Sequence, residues 1–162
     1  MTLQMRLIDG TATHVDAAAQ IWAEATAKRD GDADVAPLEL ARPIIQRVLD
    51  ASPRAFLPIV LAGETAVAFA AVAPVDEVDG REAEIHYLGV APAFWGHGVG
   101  GFLLESVCRE LKLRGFARAG LSVYADNPAA VRLYERRGWQ VYGEGKVHPR
   151  SGRLEREYRL IL

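Results

Sequence analysis

The stretch Gly89–Leu104, GVAPAFWGHGVGGFLL, constrains this chain more than any other. Gly96, Gly98, Gly100 and Gly101 crowd together, and an apolar run follows them. Glycines spaced this way let backbone N–H groups close in on an anion. A helix that begins just behind them points its positive end at the same place. The helix-dipole contribution is about 0.3–1 kcal/mol per charge. Charge-assisted N–H bonds, at about 1.5–3 kcal/mol each, outweigh it. The fold must therefore supply a strand ahead of the loop and a helix behind it.

Hydrophobic periodicity supplies both, and the elements around them. Leu3–Asp9 alternates apolar and polar residues and reads as a short strand. Thr13, with Asp16 three residues on, resembles a capping box for a helix with Val15, Ala18, Trp22 and Ala25 on one face. Lys28–Pro37 has no period and reads as a loop. A second helix is expected from Pro43, with Ile44, Ile45, Val48 and Leu49 inward. Ser52–Val75 gives two strands around the turn at Ala62, Gly63 and Glu64, and a turn at Asp79-Gly80 leads into a strand over Glu82–Val90. Behind the glycines, Leu103, Leu104, Val107, Cys108 and Leu111 share a helical face that Gly115 ends. Arg118–Ala125 is a strand, Asn127 and Pro128 open a short helix that stops at Gly138, and the end is a hairpin turning near Arg150–Gly152. This order predicts an α/β fold: one domain over residues 1–162, with a central mixed sheet flanked by about four helices.

Composition excludes several classes of function. The 162 residues are half apolar and a quarter charged, as one domain with a real core requires. A net charge of −2 offers no nucleic-acid or basic membrane surface. The single Cys108 excludes an internal disulfide, and His14, His86, His97 and His148 lack zinc spacing, so no metal is expected. The longest apolar run, Ala66–Val75, is too short to span a bilayer, and the first residues lack a signal-peptide pattern. A cytoplasmic location is the expectation.

Gly96, Gly98 and Gly101 also spell G-x-G-x-x-G, the dinucleotide fingerprint of an oxidoreductase. In that fold the glycines follow the strand almost at once, whereas Ala91–Trp95 intervene here. The ribose-binding acid belongs roughly 20 residues on, at a strand end. Asp126 lies further on, in a turn. The strands over Ala55–Val90 also follow one another with only turns between them, not in βαβ units. The anion is better read as a pyrophosphate held on a longer loop.

LGVAPAFWGHGVGGFLL resembles the acetyl-CoA loop of the GNAT superfamily of N-acetyltransferases, V-x-P-x-x-[QR]-x-x-G-x-G/A followed by a helix; Val90, Pro92, Gly98 and Gly100 match. NPAAVRLYERRGW is similar to the family's N-x-x-A-x-x-L-Y-x-x-x-G-F, through Asn127, Ala130, Leu133, Tyr134 and Gly138, with Trp139 for Phe. Trp95 departs from the pattern, since it occupies the Gln/Arg slot that helps hold the loop and the pyrophosphate. The resemblance implies transfer of acetyl from acetyl-CoA to a primary amine by direct attack. The alternative on the same fold is a non-catalytic acyl-CoA-binding or sensing domain.

Amine acetylation needs a neutral amine, donors for a developing oxyanion, and a proton for the departing thiolate. The resemblance assigns the cofactor loop to Gly96, His97, Gly98, Val99, Gly100 and Gly101, and the pantetheine strand to Leu88, Gly89 and Val90. It assigns Asn127 to the pantetheine arm, Glu84 as catalytic base and Tyr134 as catalytic acid. Each has a plainer reading: solvated His97, N-cap Asn127, solvated strand acid Glu84 and core-packing Tyr134. Glu84 and Val90 are six residues apart and share a side of an ideal strand, and His86 on that face is a rival base. Trp22 is a core residue or a wall of the acceptor site, and Cys108 is core. Lys146, His148, Arg150 and Arg153 read as a solvated hairpin, and Asp30, Asp32 and Asp34 as a solvated loop. The partner is a small-molecule or peptide amine, with neither nucleic acid nor membrane involved, and a homodimer is an allowed assembly. The acceptor's identity, and acetyl against a longer acyl donor, stay open.

Overall fold

The computed structural model describes residues 3–76 and 78–162. Strand β1 (Met5–Asp9) leads into two helices, α1 (Val15–Asp30) and α2 (Leu38–Asp50). Three consecutive strands follow, β2 (Pro58–Ala62), β3 (Thr65–Pro74) and β4 (Glu82–Val90). A 3-10 turn over Pro92–Phe94 leads to α3 (Val99–Leu113), β5 (Arg118–Tyr124) and α4 (Pro128–Glu135). The chain ends on the hairpin of β6 (Gln140–Val147) and β7 (Leu154–Ile161). The strands form one seven-stranded mixed sheet in the order β1-β2-β3-β4-β5-β7-β6. Among the described residues only β4 and β5 run parallel, joined by α3.

The sheet is covered on both faces. Val67 to Ala73 of β3 are at most 1% exposed. Their alternate side chains enter two cores, one with Ile21, Ala41 and Ile45 from α1 and α2, the other with Leu103, Val107 and Tyr134 from α3 and α4. A strand buried on both faces reads as a continuous apolar run, which is what Ala66–Ala73 is.

Two helix starts differ from the sequence expectation. The N-cap of α1 is His14 without a side-chain cap, while the Thr13 hydroxyl turns to His14 Nδ1 at 2.7 Å instead. Helix α2 begins at Leu38 after an extended Pro37, so Pro43 lies inside it. Leu38, Ala41, Ile45 and Val48 form the inward stripe, and burying that stripe outweighs the hydrogen bond that Pro43 cannot donate.

The feature that positions the site lies in β4. Ala71 pairs with Tyr87 but Val72 pairs with Ile85, so His86 is an extra, bulged residue. Pairing of β4 with β5 stops at Ile85–Leu121. Beyond it, β4 stays on β3 as far as Val90, and β5 stays on β7 as far as Tyr124. The two parallel strands therefore part and leave a notch.

Candidate active site

The glycine loop opens on the mouth of that notch. Gly96 and Gly98 have φ of 81° and 78°, and a Cβ on either would meet nothing within 4 Å. Glycine is required there by backbone conformation, and open space lies where a side chain would be. Gly98 is the N-cap of α3 and brings no capping side chain. Among the described residues, no acceptor lies in hydrogen-bonding geometry for the N–H groups from Gly96 to Gly101; the first helical bond runs from Phe102 N–H to the Gly98 carbonyl at 3.1 Å. Unspent amides, open space and a helix N-terminus fit the pyrophosphate of a coenzyme A. His97 is exposed.

The notch edge offers a second set of free groups. Ala91 N–H donates to the Val67 carbonyl of β3 at 2.8 Å. By the alternation of an antiparallel ladder, Gly89 points the same way, and Leu88 and Val90 turn their main-chain groups into the notch. A Cβ on Gly89 would lie 2.9 Å from Phe69 Cε1, so packing requires that glycine. Trp95 Nε1 donates to the Val90 carbonyl at 2.7 Å. The indole thus staples the loop to the end of β4, although its slot lacks the usual Gln or Arg. Sequence reasoning missed this role, because only the fold brings an indole N–H to a carbonyl five residues back.

The bulge reassigns Glu84. Counting along an ideal strand put Glu84 on the side of Val90. The extra residue at His86 reverses that parity. Glu84 lies opposite Ala73, on the α1–α2 face with Tyr87, whereas Leu88 and Val90 pack toward α3 and α4. His86 Nε2 lies 3.4 Å from Glu84 Oε2, and both side chains are over one-third exposed. Trp22 packs edge-on against Tyr87 with centroids 6.3 Å apart. Trp22 also borders a hollow of about 250 Å³ that Asp32, Asp34 and Pro37 line.

Tyr134 stands on the opposite face. It is 6% exposed, wedged against Trp139 and Tyr158 with centroids 6.1 Å away in each case. Burial pushes its phenol up to about 12. The Tyr158 hydroxyl is sealed and unpartnered. Asn127 caps α4 as its sequence position suggested, with Oδ1 accepting from Ala130 N–H at 3.3 Å. Cys108 is half-buried on α3, and burial pushes its thiol up to about 11, as suits a packing residue.

The hairpin is not simply solvated. Arg153 bonds Asp126 at 2.6 Å and Asp30 at 3.3 Å, with its guanidinium carbon 3.8 Å from the Tyr124 ring centroid. Side-chain bonds to Arg29 hold the Asp30 carboxyl below its usual range, with Arg153 adding to the effect; Arg153 does the same for Asp126. No group of His, Cys, Asp and Glu suited to a metal ion occurs among the described residues, and none of their helices is long and apolar enough to cross a membrane.

Residues 16–139 match the model of the acetyltransferase (GNAT) family. The chain belongs to that family. It is 38% identical over 84 residues to the N-alpha-acetyltransferase RimI of Mycobacterium tuberculosis, covering 50% of this chain and 49% of that one. It spans 19% to 61% of the length of the curated relatives it matches. Among solved structures, the ribosomal-protein-alanine N-acetyltransferase of Brucella melitensis superposes with a TM-score of 0.76 at 18% identity, covering 97% of this chain and 99% of that one. The structure of yncA from Salmonella typhimurium with its cofactor acetyl-CoA gives 0.69 at 20% identity, covering 98% and 94%.

Proposed function

We propose that the protein transfers the acetyl group of acetyl-CoA to a primary amine by direct attack. The observation that carries this reading is the run of acceptor-free amides from Gly96 to Gly101 at the mouth of the notch. When bound, acetyl-CoA supplies a thioester carbonyl open to a nucleophile. The loop amides, including those of His97, Val99 and Gly100, hold the pyrophosphate. Leu88, through its N–H and carbonyl, and Val90, through its N–H, pair with the pantetheine arm as with an added strand, while the Val90 carbonyl holds Trp95 and Gly89 keeps that edge flat. Asn127 spends its carbonyl on the cap and keeps its amide for the same arm. Glu84, with His86 beside it, takes the ammonium proton, since an alkyl ammonium near 10.4 is mostly charged at neutral pH. Tyr134 donates to the departing sulfur. Base and acid stand on opposite faces of the sheet, so the amine approaches from the α1–α2 side and the thiolate leaves toward α4. The hollow beside Trp22, with its two aspartates, supports acceptor entry on the base side.

The test is calorimetric titration with acetyl-CoA, followed by release of free CoA thiol across a panel of small amines and peptides with free N-termini. Binding and thiol release with at least one amine are expected. Gly98→Val puts a β-branched side chain at positive φ and into the anion's space. It should raise the Kd at least tenfold, about 1.4 kcal/mol. Unchanged affinity in a folded Gly98→Val variant overturns the loop assignment. Tight binding with no turnover for any amine makes the protein a binding domain instead.

A further inference from the structure

Arg137 lies just past α4, and its side chain runs back over the first turn of α3. The guanidinium occupies the space where Gly101 lacks a side chain. A Cβ on Gly101 would collide with Nη2 and sit 3.0 Å from Cζ. The donors of this group are poorly spent. Nη1 makes one long bond, 3.4 Å, to the Leu133 carbonyl. Nε is buried and has no hydrogen-bond partner, although Glu105 Oε1 lies 3.3 Å away. Glu105 is 61% exposed, so water screens that pairing. The rest of the side chain is reachable, at 29% exposure. A guanidinium has five donors in a planar fork that matches phosphate oxygens. Here it lies against Gly101, whose own amide is one of the acceptor-free set.

Two sets of unspent donors therefore meet on one turn of helix, the loop amides at its end and the guanidinium at its side. We propose that Arg137 is a phosphate contact for the nucleotide end of coenzyme A, and that it serves the 3′-phosphate. This assignment rests on the acetyl-CoA reading above. The amides on the helix axis take the pyrophosphate, and a lateral guanidinium meets a phosphate that branches away from it. Glycine at position 101 is then a requirement for cofactor recognition, because any side chain there displaces the guanidinium.

The experiment measures Kd by calorimetry for acetyl-CoA and for 3′-dephospho-acetyl-CoA, with apo melting temperatures as the folding control. The wild type should prefer acetyl-CoA about tenfold. Arg137→Met and Gly101→Ala, one removing the guanidinium and the other displacing it, should each erase that preference by weakening acetyl-CoA alone. Glu105→Gln, which removes the competing carboxylate, should tighten acetyl-CoA severalfold and leave the dephospho form unchanged. Equal losses for both ligands move the contact to the pyrophosphate and overturn the 3′-phosphate assignment. Unchanged affinities in folded Arg137→Met overturn the role altogether, as does a wild type that binds both ligands equally. A wild type that binds neither ligand overturns the acetyl-CoA reading itself, which is a separate failure.

Discussion

Burial acts on Tyr134 in two ways that bear on its chemistry. It fixes the ring between Trp139 and Tyr158, and it pushes the phenol from 10.0 up to about 12. A free thiol sits near 8.5, so full transfer from this phenol to a thiolate is uphill. In the proposed reaction its contribution is therefore a hydrogen bond to the charge that develops on sulfur, which sets a moderate magnitude. Tyr134→Phe should lower kcat about 10–10³-fold with the acetyl-CoA Kd nearly constant, the signature of an interaction made in the transition state. The raised value also fixes the pH dependence. The phenol stays protonated below pH 10, so the wild-type kcat profile should rise with amine deprotonation and show no falling limb of this origin below that pH. For stability the sign is that of an acid held neutral by the fold. Nothing changes below the unfolded value of 10.0, and stability falls as pH rises from there through about 12. Urea unfolding at pH 9 and pH 11 should show a smaller alkaline loss in Tyr134→Phe. A variant that is destabilised at neutral pH with turnover intact would make the phenol a structural group.

At the scale of elements, what the sequence made legible was local chemistry. Asn127 with Pro128 marked a helix start, and the turn at Asp79-Gly80 marked the entry to β4, because caps and turns act within a few residues. A bulged strand near Leu88 and Val90 was implied by the family resemblance, but its position at His86 was not legible, since a bulge exists only relative to β3. Its consequence, the side on which Glu84 stands, was therefore misjudged from spacing alone. The insertion of β7 between β5 and β6 was hidden for the same reason, since a hairpin does not announce which of its strands docks. In α2 the signal was present but outvoted, because the stripe from Leu38 to Val48 carries the helix across a proline. Pro43 is exposed, so Pro43→Ala loses no packing and restores an N–H for the helix ladder. A helix-interior proline costs about 3 kcal/mol relative to alanine, and releasing the unfolded chain returns about 0.4–1 kcal/mol. Equilibrium urea unfolding should show a gain of about 1–3 kcal/mol. No gain would mean that the α2 ladder is already open at its second turn.

At the scale of the whole molecule, Arg153 ties together segments that the chain keeps far apart. It joins the β6–β7 hairpin to Asp30 at the end of α1 and to Asp126 beyond β5, across the same end of the sheet as the notch. Strand β6 is exposed throughout and irregular between Tyr142 and Lys146, so its own packing holds it weakly. A surface ion pair by itself contributes little, but this one also stacks on Tyr124 and bridges three elements. Arg153→Ala should therefore change local opening more than global stability. Hydrogen exchange of the amides from His148 to Leu154 should speed up about three- to tenfold, with the amides of β3 unaffected. The carboxyls supply an internal check on the cause. Bonds to Arg29 and Arg153 hold Asp30 below its usual range, and Arg153 holds Asp126 there. A depressed carboxylate contributes stability above its unfolded value and loses it as pH falls through the folded one. Wild-type hairpin protection should then weaken as pH falls below about 4, beyond the intrinsic change in exchange chemistry. Arg153→Ala should be already loosened at pH 6 and show little further loss. Equal acid sensitivity in the two proteins would mean that the hairpin is held by its strand pairing alone, with Arg153 only resting on it.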